Sequence, residues 1–276
     1  QPPASGNVSF SRMMAGKTGE MGDNRINFGR KFMSKALIIT GGSRGIGHCV
    51  SLGAVADSWD VCVNYVNNSA RADETVAAIE AAGGKATAVQ ADIAKEEDVI
   101  RLFDTCEKEL GPVKGAVNSA GIVEPYGRVE DLKYDELVPL MDINVNAAHI
   151  VAREAVRRMS PNHGGEGGSI VLVSSVSSRL GGANFCIPYA ASKGAVDALG
   201  WGLAQEVAPE GIRVNVVSPG LIDTEIQPEG RVANDGPNLP AGRAGKPEEV
   251  AKAILWLLSD DASYVSGSNL AVSYAR

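Results

Sequence analysis

The stretch Ala36-Leu-Ile-Ile-Thr40-Gly41-Gly42-Ser43-Arg44-Gly45-Ile46-Gly47 decides the fold. An apolar run without alternation comes first, then a glycine-rich turn, then a helical pattern from Ile46 to Ser58. Unbroken apolar character suits a strand buried on both faces, as in a parallel sheet. Glycine permits positive φ and lets backbone amides come close to a phosphate at a helix N-terminus, where the dipole favours anions. Gly41, Gly45 and Gly47 have a longer first gap than G-x-G-x-x-G. The strand–turn–helix setting nevertheless makes the stretch a dinucleotide-binding turn.

Outward from this turn the period stays the same. Strands are predicted at 61–65, 85–91, 113–118, 169–174, 212–217 and 268–272. Helices are predicted at 70–82, 96–110, 134–159, 189–208 and 247–258, two of them closed by Gly83-Gly84 and Gly111-Pro112. Regular alternation implies right-handed βαβ units. The expectation is a single-domain, doubly wound α/β fold over 34–276, a parallel sheet of about seven strands with helices on both faces. Residues 1–33 show no sustained period and are rich in Gly, Ser, Asn and Met. They read as a disordered or appended extension, with Met33 the natural start. They lack an apolar secretory core, and Glu20 and Asp23 do not suit an acid-poor transit peptide.

Composition removes several function classes. A formal charge of −7, with no Lys/Arg cluster forming a basic stripe, argues against a nucleic-acid partner. No apolar run reaches the roughly 18 residues that span a bilayer. Cys49, Cys62, Cys106 and Cys186 are scattered and read as reduced thiols of a cytoplasmic protein. His48, His149 and His163 show no metal-like spacing, so no metal is expected.

Two further features carry chemistry. Tyr189 and Lys193, four apart on a predicted helix, stack on one face one turn apart. An ammonium beneath a phenol favours the phenolate, which predicts a tyrosine pKa drawn down from about 10 and a proton donor for a carbonyl oxygen. The second strand ends in Asn64-Tyr65-Val66-Asn67-Asn68, without the acid that holds the ribose hydroxyls of NAD. Arg44 offers a guanidinium inside the glycine turn, which favours NADP(H).

Further segments follow in order: Asp92 after the third strand, Asn118-Ser-Ala-Gly121 after the fourth, Asp142-Ile-Asn144-Val145, the pair Ser174-Ser175, Ser218-Pro-Gly-Leu-Ile-Asp-Thr224, and Arg243-Ala-Gly-Lys-Pro-Glu-Glu-Val250. With Thr40–Gly47, Tyr189 and Lys193, these resemble the short-chain dehydrogenase/reductase family from about Ala36 to the C-terminus. The pattern is most similar to bacterial sugar or alcohol dehydrogenases and 3-oxoacyl-carrier reductases.

The resemblance implies a Rossmann fold, a homo-oligomer (tetramer or dimer), and a catalytic set of Asn144, Ser175, Tyr189 and Lys193. Tyr189 would act as general acid or base, and Lys193 would lower its pKa and hold the nicotinamide ribose. Ser175 would bind the substrate oxygen, and Asn144 would anchor a water linking Lys193 to solvent. Cofactor contacts are implied at Gly41, Ser43, Arg44, Gly45, Ile46 and Gly47 in the turn. After the second and third strands they fall on Asn64, Tyr65, Asn67, Asp92 and Ile93. Asn118, Ala120 and Gly121 follow the fourth strand, and Pro219, Gly220, Ile222 and Thr224 the sixth. Ser174 competes with Ser175, Asn146 with Asn144, and Asp92 also reads as an ordinary turn acid. Ser119 replaces the family's second asparagine, and the C-terminal Asn269–Arg276 lacks the Asp-Gly-Gly common there.

Substrate walls are expected at 122–128 and 179–187, with a lid at 223–244, mobile until ligand binds. No charged anchor names a substrate. Two other functions stay open: reduction of carrier-bound 3-oxoacyl chains, with Arg179, Arg231 and Arg243 near the mouth, and a non-catalytic NADP(H)-sensing protein.

Overall fold

In the computed structural model, which describes residues 35–276, β1 (Ala36–Thr40) is buried along its whole length. The expectation for residues 1–33 lies outside the described residues. Successive side chains of β1 point to opposite faces, and each face meets a separate apolar core. Ala36 and Ile38 pack into one core, Leu37 and Ile39 into the other.

The elements follow in strict alternation. After β1 come α1 (Gly45–Gly53), β2 (Asp60–Tyr65), α2 (Ser69–Ala81), β3 (Ala86–Gln90) and α3 (Glu96–Leu110). The second half holds β4 (Val113–Asn118), α4 (Tyr134–Met141), α5 (Ala147–Met159), β5 (Gly168–Val173) and α6 (Ser177–Leu180). It ends with α7 (Ile187–Val207), β6 (Ile212–Pro219), α8 (Arg231–Asp235), α9 (Pro247–Leu258) and β7 (Asn269–Val272).

The strands form one sheet in the order β3-β2-β1-β4-β5-β6-β7. Every pairing is parallel. On one face lie α3, α5 and α7 through Phe103, Met159 and Val207. On the other lie α1, α2 and α9 through Val50, Ile79 and Ile254. The chain reverses its winding between β1 and β4, so their carboxyl ends flank a crevice.

One predicted helix is divided. The span expected at 134–159 is α4 and α5 separated by a π-helical turn, Asp142–Asn146. Pro139 lies inside α4 and brings no N–H to the ladder. The wide turn follows three residues later and turns Asn144 into the interior, 1% exposed.

Candidate active site

The glycine turn is held shut by backbone contact. Gly41 has φ +64° and Gly45 φ +52°, the left-handed region open to glycine at little cost. A Cβ on Gly47 would lie 2.3 Å from the Gly41 carbonyl oxygen, so α1 starts hard against the turn. Asn64 at the end of β2 fixes the loop from the other side. Its Oδ1 accepts the Gly41 N–H at 3.2 Å and its Nδ2 donates to the Ala91 carbonyl at 2.9 Å.

Thr40 joins this loop to β4. Its hydroxyl donates to Asn118 Oδ1 at 2.9 Å and accepts the N–H groups of Ser119 and Ala120 at 3.0 and 3.1 Å. The link survives serine at position 119 because that residue contributes its backbone amide.

These loops enclose a cavity of about 450 Å³. Gly41, Ser43, Arg44, Gly45 and Ile46 line it, with Asn64, Tyr65 and Asn67 at the end of β2. Ala120, Gly121 and Thr224 close the remaining side. Arg44 is exposed there and has no ion-pair partner among the described residues. The predicted residues Gly47, Asp92, Ile93, Asn118, Pro219, Gly220 and Ile222 do not line this cavity. Asp92 instead caps its own turn, its carboxylate accepting the Ala94 N–H at 3.1 Å. Ile222 is core, bridged to Gly245. Arg71, Ser119 and Glu225 also line the cavity and escaped sequence reading.

The α7 residues lie beyond this cavity. Lys193 is 5% exposed, and its ammonium sits 5.7 Å from the Tyr189 ring centroid while donating to the Val173 carbonyl at 2.9 Å. Burial disfavours the charged form of both groups. It pulls Lys193 down to about 8 against the opposing charge of Asp197. It pushes Tyr189 up to about 12, outweighing the lowering effects of a hydrogen bond with Ser175 and of the Arg231 charge. The predicted depression of the phenol by its lysine is therefore corrected: in this structure desolvation wins, and Tyr189 holds its proton at neutral pH.

The two serines part company. Ser174 Oγ donates to the Lys193 carbonyl at 3.0 Å and is committed to α7. Ser175 faces the phenol and accepts the Ser177 N–H at 3.1 Å. Asn144 binds the backbone on both sides of Ile122, accepting its N–H at 2.9 Å and donating to its carbonyl at 2.8 Å. It also donates to Ser192 Oγ at 3.0 Å. A Cβ on Gly121 would lie 3.1 Å from Asn144 Oδ1 and 3.5 Å from Lys193 Nζ, which places those two side chains at one point. Asn146 is exposed and bonds Asp142 instead.

Three separate segments of the chain meet near Tyr189. The rings of Tyr126 and Phe185 stack with centroids 4.8 Å apart, and the Arg231 guanidinium lies 4.3 Å over Phe185. Among the described residues no cluster of side chains suits a metal ion, and no helix is long and apolar enough to cross a membrane.

Known proteins match this chain over most of its length. A family model described as enoyl-(acyl carrier protein) reductase matches residues 41–274. The chain is 46% identical over 235 residues to the uncharacterized oxidoreductase YgfF of Escherichia coli, covering 84% of this chain and 95% of that one. It is 39% identical over 249 residues to 3beta-hydroxysteroid dehydrogenase 1 of Eggerthella lenta, covering 86% and 92%. A crystal structure of a short chain dehydrogenase from Burkholderia cenocepacia in complex with NADP superposes with a TM-score of 0.81 at 32% identity, covering 87% and 96%.

Proposed function

The chain belongs to the short-chain dehydrogenase/reductase family of oxidoreductases, and on that premise we propose that it moves a hydride between NADP(H) and a small carbonyl or alcohol substrate. The observation that carries the reading is the pairing of Ser175 with a protonated Tyr189 beside buried Lys193. The cavity at the glycine turn suits a dinucleotide: amides at the α1 N-terminus for the pyrophosphate, and exposed Arg44, without an ion-pair partner among the described residues, for a 2′-phosphate. The NADP complex of the Burkholderia protein supports the same choice. Bound there, the dinucleotide supplies or accepts the hydride.

The chain's own residues handle the proton. In reduction Tyr189 gives its proton to the substrate oxygen, and Ser175 donates a hydrogen bond to that oxygen as charge develops. The phenolate left behind is the charge that the nearby Lys193 ammonium stabilises. Asn144 positions the Ile122 backbone and, through Ser192, α7. Both its amide protons are engaged, which leaves a lone pair of Oδ1 for a water towards Lys193.

Residues 223–244 are assigned as the substrate lid and 34–276 as the enzyme domain. We place the protein in the cytoplasm, on four free cysteines. A homo-oligomer is supported by the exposed aromatics Trp201, Tyr264 and Tyr274, 62%, 103% and 73% exposed. Carrier-bound acyl chains form a second reading, favoured by the description of the matching family model. Against it, the formal charge of −7 disfavours an acidic carrier, and Arg231 is stacked on Phe185.

The test is NADPH oxidation against ketones, aldehydes, sugars and acyl thioesters, repeated with NADH. Faster turnover with NADH overturns the cofactor choice. NADPH binding with no turnover of any substrate favours the sensing protein instead.

A further inference from the structure

The geometry points to Arg71 and Glu225 as a charge latch over the cofactor cavity, in which the 2′-phosphate of NADP(H) takes the Arg71 guanidinium from the Glu225 carboxylate. This inference rests on the reading that the cavity takes NADP(H).

Arg71 lies in the first turn of α2, and Glu225 lies directly after Thr224 beyond β6, 154 residues away in sequence. Both line the cavity. Arg71 Nη1 donates to both carboxylate oxygens of Glu225 at 2.5 and 2.7 Å, so the pair ties the two walls together. The arginine backbone is fixed. Its N–H donates to Asn68 Oδ1 at 3.1 Å, and its carbonyl accepts from Thr75 Oγ1 at 2.8 Å. Only the side chain is left to exchange partners.

The exchange is favoured by chemistry. The side chains of Arg71 and Glu225 are 45% and 56% exposed, and an ion pair in that setting contributes little to stability. A phosphate dianion offers the planar guanidinium more charge and a matching bidentate geometry. NAD(H) carries a hydroxyl at that position and has no charge with which to displace a carboxylate. Arg44 stands open in the same cavity, whereas Arg71 is guarded. The guard makes the site respond to the phosphate itself. Glu225 lies near the start of the assigned lid, so the exchange removes its tie to α2.

Isothermal titration of NADPH and NADH into the wild-type chain, Arg71→Gln, Glu225→Gln and the double variant tests the latch. Arg71→Gln is expected to weaken NADPH by about tenfold and leave NADH within about twofold. Glu225→Gln is expected to tighten NADPH by about threefold, a gain that disappears in the Arg71→Gln background because Glu225 acts through Arg71. Both residues are exposed, and unchanged thermal melting shows that each variant is folded. An NADPH-preferring wild type whose Arg71→Gln variant holds NADPH equally well overturns the latch alone. So does a Glu225→Gln variant that gains nothing, or one whose gain persists without Arg71. A wild type that holds NADH as tightly as NADPH brings down the cofactor reading and the latch with it.

Discussion

At the α7 end of the site Lys193 is 5% exposed, whereas at the α2 end the side chains of Arg71 and Glu225 are 45% and 56% exposed. Burial at the first end moves protonation equilibria by whole units, Tyr189 up to about 12 and Lys193 down to about 8. Exposure at the second leaves the pair free to change partners. The difference separates two tasks within one domain. A dry end tunes proton transfer, and a wet end selects a charged ligand without strain on the fold.

The largest break in this comparison is Tyr189→Phe. It removes the only proton carried on the phenol and is expected to lower turnover by about 10³-fold, while NADPH titration shows affinity kept within about threefold, since the wet end is untouched. Loss of both together makes Tyr189 a structural residue and erases the division of labour. The next effect is on pH. Oxidation of an alcohol needs Tyr189 as a base, and burial holds its proton on far above neutrality. With the phenol held near 12, the phenolate fraction rises tenfold per pH unit below it, so kcat/KM for oxidation is expected to rise about 10²-fold between pH 7 and 9. Reduction needs the protonated phenol, which persists over this range, so a fall in its rate follows loss of the Lys193 ammonium, held down to about 8. A flat oxidation profile shows that the phenol is already ionised at pH 7, with the Lys193 charge outweighing burial in the working enzyme.

The sequence already contained the dry end as spacing and the wet end as composition, but neither contained the electrostatics. Tyr189 and Lys193 are legible because a helical period forces them together, and the β1 turn is legible because Gly41 holds a positive φ and Gly47 leaves no room for a Cβ. Helical spacing predicts the wrong pKa direction because a pair on a helix face says nothing about what covers it. The π turn at Asp142–Asn146 was hidden inside an unbroken helical pattern, with Pro139 the one signal for it. Arg71 and Glu225 could not be paired by reading, since 154 residues separate them and only the sheet order brings their loops together. The stack of Tyr126, Phe185 and Arg231 draws on three separate segments and has no local period at all. Asp92 fitted the family pattern by position, yet its carboxylate serves its own turn.

Smaller effects sharpen the wet end. Arg44→Gln removes the open guanidinium and is expected to weaken NADPH by about tenfold and NADH by less than about twofold. Equal losses for both cofactors place Arg44 on the pyrophosphate, and the selection then falls to Arg71 alone. The smallest effect is that of salt, and it acts on both ends in one experiment. The Debye length falls from roughly 10 Å at 0.1 M to 3 Å at 1 M, so exposed charges separated by more than a few ångströms cease to attract. NADPH affinity is expected to drop by about threefold between these concentrations, with NADH barely moved. Buried groups are screened much less. The alkaline limb of the oxidation profile therefore keeps its position in the same salt, because burial, and not a distant charge, sets the Tyr189 proton. A limb that moves as far as the NADPH affinity does would mean that water and ions reach α7, and the two ends would differ in residue type alone.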